Sequence, residues 1–226
     1  VDWGSRDSGP YGFHHIYPAK TAFEKPVGFD GQPAYFALWA RRYMHEYGLT
    51  EADLATLATS QRANAIRNGR AQLQKPLTFA DYRASRMISD PLRAADCCVI
   101  TDGAAAFVMA RLDRARDCRK RPVRVLGCGF ASEAMTADDV FTQKPKQLTI
   151  PGAREACGRA LGEAGIGLEA VSFAEIYDCF TISCLMQIED LGFCEKGEAG
   201  SFIREKGIGI DGTFPLNTHG GLLAHS

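Results

Sequence analysis

One short polar stretch of the chain lies where chemistry is often done. Tyr177 and Asp178 follow an apolar run at 171–176 and precede a second apolar run at 180–191. If the first run is a strand and the second a helix, the two polar side chains lie at the carboxyl end of a strand, where ligands of open α/β sheets collect. The alternative is a plain strand-to-helix turn in which Asp178 only caps the helix.

A second stretch reads Asn217-Thr218-His219-Gly220-Gly221. Glycines without side chains let the backbone approach a ligand closely, and Asn217 and His219 offer hydrogen-bonding groups beside them. The same residues also fit a glycine turn that contains a histidine with satisfied hydrogen bonds. Taken alone, the stretch favours this simpler interpretation.

The elements that position these stretches follow from periodicity and helix ends. Thr50 and Asp53 have the spacing of a capping box, and Gly48 and Gly69 lie where left-handed helix ends belong. Helices are predicted over 34–47, 50–68, 78–87, 151–163 and 180–191, strands over 104–109, 123–127 and 171–176, and loops over 1–33 and 195–212. Strands alternating with helices in the second part indicate an α/β fold.

Composition and charge exclude several classes of function. Among 226 residues, 26 Lys and Arg balance 27 Asp and Glu, so no net field attracts nucleic acid or an anionic membrane. No apolar run approaches the roughly 18 residues of a membrane span. The cysteines form no Cys-x-x-Cys pair, and adjacent His14 and His15 have no third ligand nearby, so no metal site is predicted. We expect a soluble, cytoplasmic protein that binds neither nucleic acid nor membrane.

Three stretches resemble motifs of the thiolase superfamily. Thiolases have an Asp-Gly-Ala-Ala-Ala run, an Asn-Glu-Ala-Phe motif after a strand of the C-terminal half, and a later Asn-x-x-Gly-Gly run. This sequence has Thr-Asp-Gly-Ala-Ala-Ala at 101–106, Tyr-Asp-Cys-Phe at 177–180 and Asn-Thr-His-Gly-Gly at 217–221. The order and the spacings agree, and three ordered matches are much more specific than one. The resemblance covers nearly the whole chain from Gly9 onward.

Tyr177 indicates a branch of this superfamily. Classical thiolases have Asn at this position and the sterol-carrier-protein type has His, whereas a Tyr-Asp-x-Phe form resembles bacterial thiolase-like lipid-transfer proteins. Some of those proteins are retro-aldolases of steroid side-chain degradation. Tyr177 can donate a hydrogen bond to a thioester or ketone oxygen, and Asp178 could orient it or take a proton. Such a pair could serve an aldol cleavage without a cysteine.

The resemblance implies a layered αβαβα thiolase-like fold that is incomplete here, with the N-terminal half largely missing. Residues 1–95 would be part of the loop domain that covers the coenzyme A (CoA) thioester. Residues 96–122 would be the last strand of the N-terminal half and a linker, and 123–226 a truncated C-terminal half. The nucleophilic cysteine would lie upstream of Val1, and the histidine of a Gly-His-Pro motif just beyond Ser226.

The function implied is that of an acyl-CoA acyltransferase, an enzyme that makes or breaks a carbon–carbon bond beside a CoA thioester in lipid or steroid side-chain degradation. A retro-aldolase acting on a β-hydroxyacyl-CoA and a non-catalytic acyl-CoA-binding subunit stay open as alternatives. The CoA thioester is the expected substrate, without a covalently bound cofactor, and the implied partners are a second copy and a small acyl-CoA-associated domain. The expected catalytic residues are Tyr177, Asp178 and His219, and the expected substrate-binding residues are Asn217, Gly220 and Gly221.

Overall fold

A computed structural model describes residues 18, 20–29, 31–101, 103–132, 148–150 and 152–225 of the chain. Several predictions lie outside these residues. They concern the start of the first loop with its His14-His15 pair, Asp102 of the first thiolase-like motif, and Pro151 at a predicted helix start.

Within the described residues the fold is mainly helical. A two-stranded antiparallel hairpin pairs β1 (Met87–Ser89) with β2 (Leu92–Arg93). Short π- and 3-10-helical turns lie at Lys20–Glu24, Lys25–Val27, Ala94–Asp96 and Leu168–Ala170. The α-helices are α1 (Gln32–Tyr47), α2 (Glu51–Asn68), α3 (Phe79–Ala84), α4 (Leu112–Ala115), α5 (Ala153–Ala164), α6 (Thr181–Asp190), α7 (Ala199–Lys206) and α8 (Gly221–Ala224). No helix among the described residues is both long and apolar enough to cross a membrane.

The helices with strong local signals form where the sequence predicts them. The Thr50 backbone N–H donates to Asp53 Oδ2 at 2.9 Å, and the Asp53 N–H donates to the Thr50 hydroxyl at 3.4 Å, which is the predicted capping box of α2. Helices α1 and α2 end at Gly48 and Gly69, both in the left-handed region. The buried helix predicted over 180–191 is confirmed as α6. Short-range interactions decide these elements, so a sequence pattern suffices to find them.

The predicted strands are largely wrong for the described residues. The segments 103–111 and 121–132 form no ladder, and Phe107 and Val123 are 83% and 96% exposed. The third predicted strand pairs through a single parallel bridge, from Ala174 to Leu216. A strand requires a neighbour that satisfies its backbone N–H and C=O groups. The described residues place no strand beside the first two segments.

Two further boundaries differ from the predictions. The loop predicted at 195–212 contains α7, because Ala199 and Ile203 recur at helical spacing and are both buried. The helix predicted to reach residue 87 ends at Ala84, and the chain turns at once into the β1–β2 hairpin. In the first case, the many glycines and charged residues led to the prediction of a loop. In the second case, the pairing of β1 with β2 ends the helix and was not predicted.

A buried polar cluster connects α6 to its neighbours. Glu189, near the end of α6, accepts hydrogen bonds from the Tyr43 hydroxyl of α1 and, at 3.0 Å, from the Ala199 N–H at the start of α7. The Lys196 ammonium lies 3.0 Å from Glu189 and 2.8 Å from Asp190. Because these carboxylates are buried, each requires its partners. The cluster therefore fixes the helix that begins directly behind the Tyr177 stretch.

Candidate active site

Two parallel segments support the candidate site. The Ala174 N–H donates to the Pro215 carbonyl at 3.1 Å, and the Asn217 N–H donates to the Ala174 carbonyl at 2.9 Å. Because parallel segments end at the same edge, the residues that follow them share that edge. Tyr177 directly follows the first segment in the chain, and His219 lies just after the second. The two polar stretches identified in the sequence are therefore brought together.

Asn217 holds the end of this pairing. Its side-chain Oδ1 accepts from the Ile176 N–H at 2.6 Å, and its Nδ2 donates to the Ile176 carbonyl at 2.8 Å. The residue is 1% exposed and has a φ of 48°, a left-handed conformation that Asn tolerates better than most residues. The side-chain amide thus pairs with the Ile176 backbone as a neighbouring strand would. It thereby fixes the path of the chain towards Tyr177. Contact of Asn217 with a substrate stays a prediction.

Asp178 is buried and caps the first turn of α8. Its Oδ1 accepts from the Leu222 N–H at 2.7 Å and its Oδ2 from the Leu223 N–H at 3.4 Å. Burial raises the pKa of Asp178, and the two amide hydrogen bonds act in the opposite direction. Each carboxylate oxygen therefore accepts from a backbone amide, and the residue connects the Tyr177 stretch to α8. A catalytic role of Asp178 stays a prediction.

The two glycines of the second stretch are required by close packing. Gly221 has a φ of 63°, and a Cβ added there would overlap Asp178 Oδ2. Gly220 has a φ of 115°, and its added Cβ would lie 2.6 Å from the Ala65 Cβ of α2. The missing side chains thus let the turn fit between α2 and the Asp178 carboxylate. Substrate binding by either glycine remains a prediction.

Tyr177 is the accessible member of its motif. It is 62% exposed, and its carbonyl accepts a hydrogen bond from Gln187 Nε2 at 2.6 Å, which anchors its backbone to α6. Partial burial raises the pKa of Tyr177 to about 12, and the Cys179 thiol adds to the effect. The phenol is therefore protonated at neutral pH. It can donate a hydrogen bond or a proton to a substrate oxygen.

The thiols nearest to Tyr177 are poorly suited to nucleophilic attack. The Cys98 N–H donates to the Cys179 carbonyl at 2.9 Å, which joins the two cysteine segments. Burial raises the pKa of Cys179 to about 11, and burial also raises the pKa of Cys98. Since the thiolate is the reactive form of cysteine, both groups are weak nucleophiles at neutral pH.

His219 is paired with a carboxylate that the sequence analysis missed. Its Nδ1 lies 2.7 Å from Glu175 Oε2, and both side chains are partly exposed. The ring also packs edge-on against His225, with ring centroids 5.2 Å apart. Glu175 precedes Tyr177 by two positions in an extended segment, so the two residues share a face. That spacing is the signal that could have identified it.

The assembled site can perform proton transfer. A protonated phenol and an imidazole with a carboxylate partner lie at one edge, and attraction to His219 is among the effects that lower the pKa of Asp178 against the stronger effect of burial. Among the described residues, no group of three or more His, Cys, Asp and Glu side chains is placed to hold a metal ion. Such an arrangement suits general acid–base chemistry on a hydroxyl or a carbonyl.

Known proteins are similar to this chain in both sequence and fold. Residues 134–226 match the family described as thiolase C-terminal domain-like. The chain is 38% identical to 17-hydroxy-3-oxo-4-pregnene-20-carboxyl-CoA lyase of Mycobacterium tuberculosis, over 91% of this chain and 54% of the relative. It is also 38% identical to acetyl-CoA acetyltransferase of Methanothermobacter thermautotrophicus, over 85% of this chain and 49% of the relative.

A solved structure described as Ltp2-ChsH2(DUF35) aldolase superimposes with a TM-score of 0.82 at 33% identity, covering 92% of this chain and 55% of that one. The chain spans about half the length of the relatives that it matches. The predicted thiolase-like α/β fold is confirmed as a partial one, although its strands are mostly unpaired among the described residues. The chain is thus similar to about half the length of thiolase and aldolase relatives, and residues 134–226 match a thiolase family model.

Proposed function

We propose that the protein containing this chain cleaves a β-hydroxyacyl-CoA by a retro-aldol reaction, with Tyr177 and His219 as its proton-transfer groups. The observation that carries this proposal is their placement at one edge of two parallel segments, beside thiols that burial keeps protonated. Among the described residues this edge carries a phenol and an imidazole, the groups that proton transfer without a covalent intermediate needs.

The reaction needs one base and one oxyanion donor. The His219 imidazole acts as the base and takes the proton of the β-hydroxyl, the bond between the α and β carbons breaks, and the β carbon becomes a carbonyl. The electron pair passes to the α carbon and the thioester oxygen as an enolate, to which the Tyr177 hydroxyl donates a hydrogen bond. A proton then returns to the α carbon. Nothing is oxidised or reduced, and no cofactor is required.

The relative from Mycobacterium tuberculosis supports the substrate class. The substrate in its name carries a hydroxyl on carbon 17 and the CoA thioester on carbon 20, so the hydroxyl is β to the thioester carbonyl. Retro-aldol cleavage of that compound would release a 17-ketosteroid and propanoyl-CoA. We take this steroid thioester as the probe for the protein.

The test uses the full-length protein, this probe and detection of propanoyl-CoA. Tyr177→Phe should lower kcat by roughly 10²–10⁴-fold, the usual contribution of a positioned proton-transfer group, without unfolding the protein because the residue is 62% exposed. Tyr47→Phe, at the C-terminal end of α1, is the matched control and should leave kcat unchanged. An inactive wild-type protein, or a fully active Tyr177→Phe variant, would refute the proposal.

A Claisen-type thiolase is the second candidate, supported by the 38% identity to an acetyl-CoA acetyltransferase. It predicts that the full-length protein converts acetoacetyl-CoA and CoA into two molecules of acetyl-CoA. Thiolysis without cleavage of the steroid probe would replace the retro-aldolase proposal. Binding of CoA esters without turnover of either substrate would instead identify a non-catalytic subunit.

We also propose that the protein has two partners, a second copy of the chain and a small acyl-CoA-associated domain. The description of the similar solved structure names two components, one of them a DUF35 protein, which supports the second partner. Light scattering on the full-length protein with and without a DUF35 domain tests both. Domain limits near residues 95 and 122 are part of the same proposal, and limited proteolysis would locate them.

A further inference from the structure

Glu175 has more contacts than a surface carboxylate usually has. Its Oε1 accepts hydrogen bonds from the Thr218 N–H at 3.1 Å and from the Thr218 hydroxyl at 2.7 Å. Its Oε2 lies 2.7 Å from Nδ1 of His219. The carboxylate thus connects the two parallel segments at the edge where Tyr177 lies.

The three contacts fix the orientation of the carboxylate. Because both Thr218 donors reach Oε1, rotation of the Glu175 side chain would break two hydrogen bonds at once. Oε2 is left to face the His219 ring. A carboxylate oxygen only accepts, so the hydrogen between it and Nδ1 belongs to the imidazole. In its neutral form the ring therefore carries its proton on Nδ1, which leaves Nε2 as its acceptor atom.

The backbone of His219 is held independently of this contact. Its carbonyl accepts from Asn68 Nδ2 of α2 at 3.0 Å, and the next residue, Gly220, packs against α2. Loss of the Glu175 carboxylate should consequently change the state of the ring without moving the backbone that carries it. Asp178 is directed elsewhere, because its oxygens accept from the Leu222 and Leu223 amides of α8.

We propose that Glu175 is a positioning residue that holds His219 in the tautomer with Nε2 unprotonated, so that Nε2 can take the β-hydroxyl proton. This inference rests on the proposed retro-aldol function for its catalytic part. The tautomer itself can be observed without any substrate. The two parts can therefore be tested separately.

The decisive variant is Glu175→Gln in the full-length protein. If the amide oxygen keeps the two Thr218 hydrogen bonds, the amide NH₂ faces Nδ1 and donates to it, which reverses the tautomer. With the steroid probe, kcat should fall on the order of 10²-fold or more, the loss expected when a proton-transfer group is in the wrong state. KM should change little because Glu175 acts through His219. Glu175→Asp, which keeps the charge, should retain part of the activity.

Nitrogen-15 spectra of histidine-labelled protein report the tautomer directly, with His219 assigned by the signal lost in His219→Asn. The wild-type ring should show a protonated Nδ1, and Glu175→Gln should shift the proton to Nε2. Glu205→Gln, an exposed glutamate of α7, is the matched control and should change neither the spectrum nor kcat.

The outcomes separate the two proposals. The same His219 tautomer in the wild type and in Glu175→Gln, or a wild-type ring protonated on Nε2, would overturn the role of Glu175. A reversed tautomer with undiminished kcat would overturn it as well. If the tautomer reverses but the wild-type protein does not cleave the probe, the retro-aldol function fails while the assignment of Glu175 to His219 stands.

Discussion

Substitution of Gly221 by alanine tests how tightly the site is packed. The residue lies at the start of α8 with a φ of 63°, and an added Cβ would overlap the Asp178 carboxylate. Asp178 would have to move, which separates its oxygens from the Leu222 and Leu223 amides. The methyl group therefore acts on a buried charge as well as on the backbone.

The expected cost follows from two contributions. A left-handed backbone costs an L-residue roughly 1 kcal/mol more than glycine. Loss of the 2.7 Å charge-assisted hydrogen bond from Leu222 to buried Asp178 adds about 2–3 kcal/mol. The longer bond from Leu223, at 3.4 Å, adds little. Gly221→Ala should thus lower the free energy of unfolding by about 3–4 kcal/mol.

Gly165→Ala is the matched control. Gly165 ends α5 with a φ of 67°, and a Cβ there meets no described atom within 4 Å. It carries the backbone contribution alone and should cost about 1 kcal/mol. Urea unfolding of the full-length protein and of both variants, followed by circular dichroism, measures the difference between them.

Equal destabilisation by Gly221→Ala and Gly165→Ala would refute this reasoning. A double-mutant cycle adds a second criterion. If the methyl group acts through the carboxylate, Gly221→Ala should cost less in an Asp178→Ala background than in the wild type, since the clash and the hydrogen bond are already gone. Additive effects of the two substitutions would show that Gly221 and Asp178 do not interact.

Two further predictions concern the same edge. Asn217→Ala removes both side-chain hydrogen bonds to Ile176 and leaves alanine in a left-handed backbone conformation. It should therefore lower the free energy of unfolding by about 2–4 kcal/mol and lower kcat with the steroid probe. Unchanged values of both quantities would contradict this prediction. The second prediction concerns pH. Burial raises the pKa of Cys179 from 9.0 to about 11, so between these values the unfolded state binds fewer protons than the folded state and stability falls as the pH rises. Urea unfolding at about pH 8 and about pH 10 should show this fall, and Cys179→Ala should reduce it; a fall of the same size in that variant would exclude the thiol as a source.

The sequence predicted the helices with local signals well. Helix α2 lies between its expected caps, Thr50 and Gly69, because a capping box and a left-handed glycine act over one helical turn. The strands were predicted poorly for the opposite reason. The bridge between Ala174 and Leu216 joins residues far apart in the chain, and the pairing of a strand depends on such distant neighbours.

The residues of the candidate site likewise divide into those that the sequence identified and those that depend on contacts between distant parts of the chain. Ordered motifs predicted where the polar groups lie, and the structure places Tyr177 and His219 at one edge. The sequence analysis missed Glu175, because apart from its two-residue spacing from Tyr177 a glutamate in an extended segment resembles an ordinary solvent-facing charge. Its partner His219 lies 44 positions later, and the contact exists only because the two segments run parallel.

The sequence by itself indicated the resemblance to the thiolase superfamily and the residues whose chemistry could serve a site. Only the tertiary structure decided which of them keep free polar atoms. Asn217 and Asp178 use theirs on Ile176 and on the first turn of α8, whereas Tyr177 remains exposed. The physical reason is that a polar side chain is available to a substrate only when no other part of the chain has taken its hydrogen bonds, and those partners are brought near by folding.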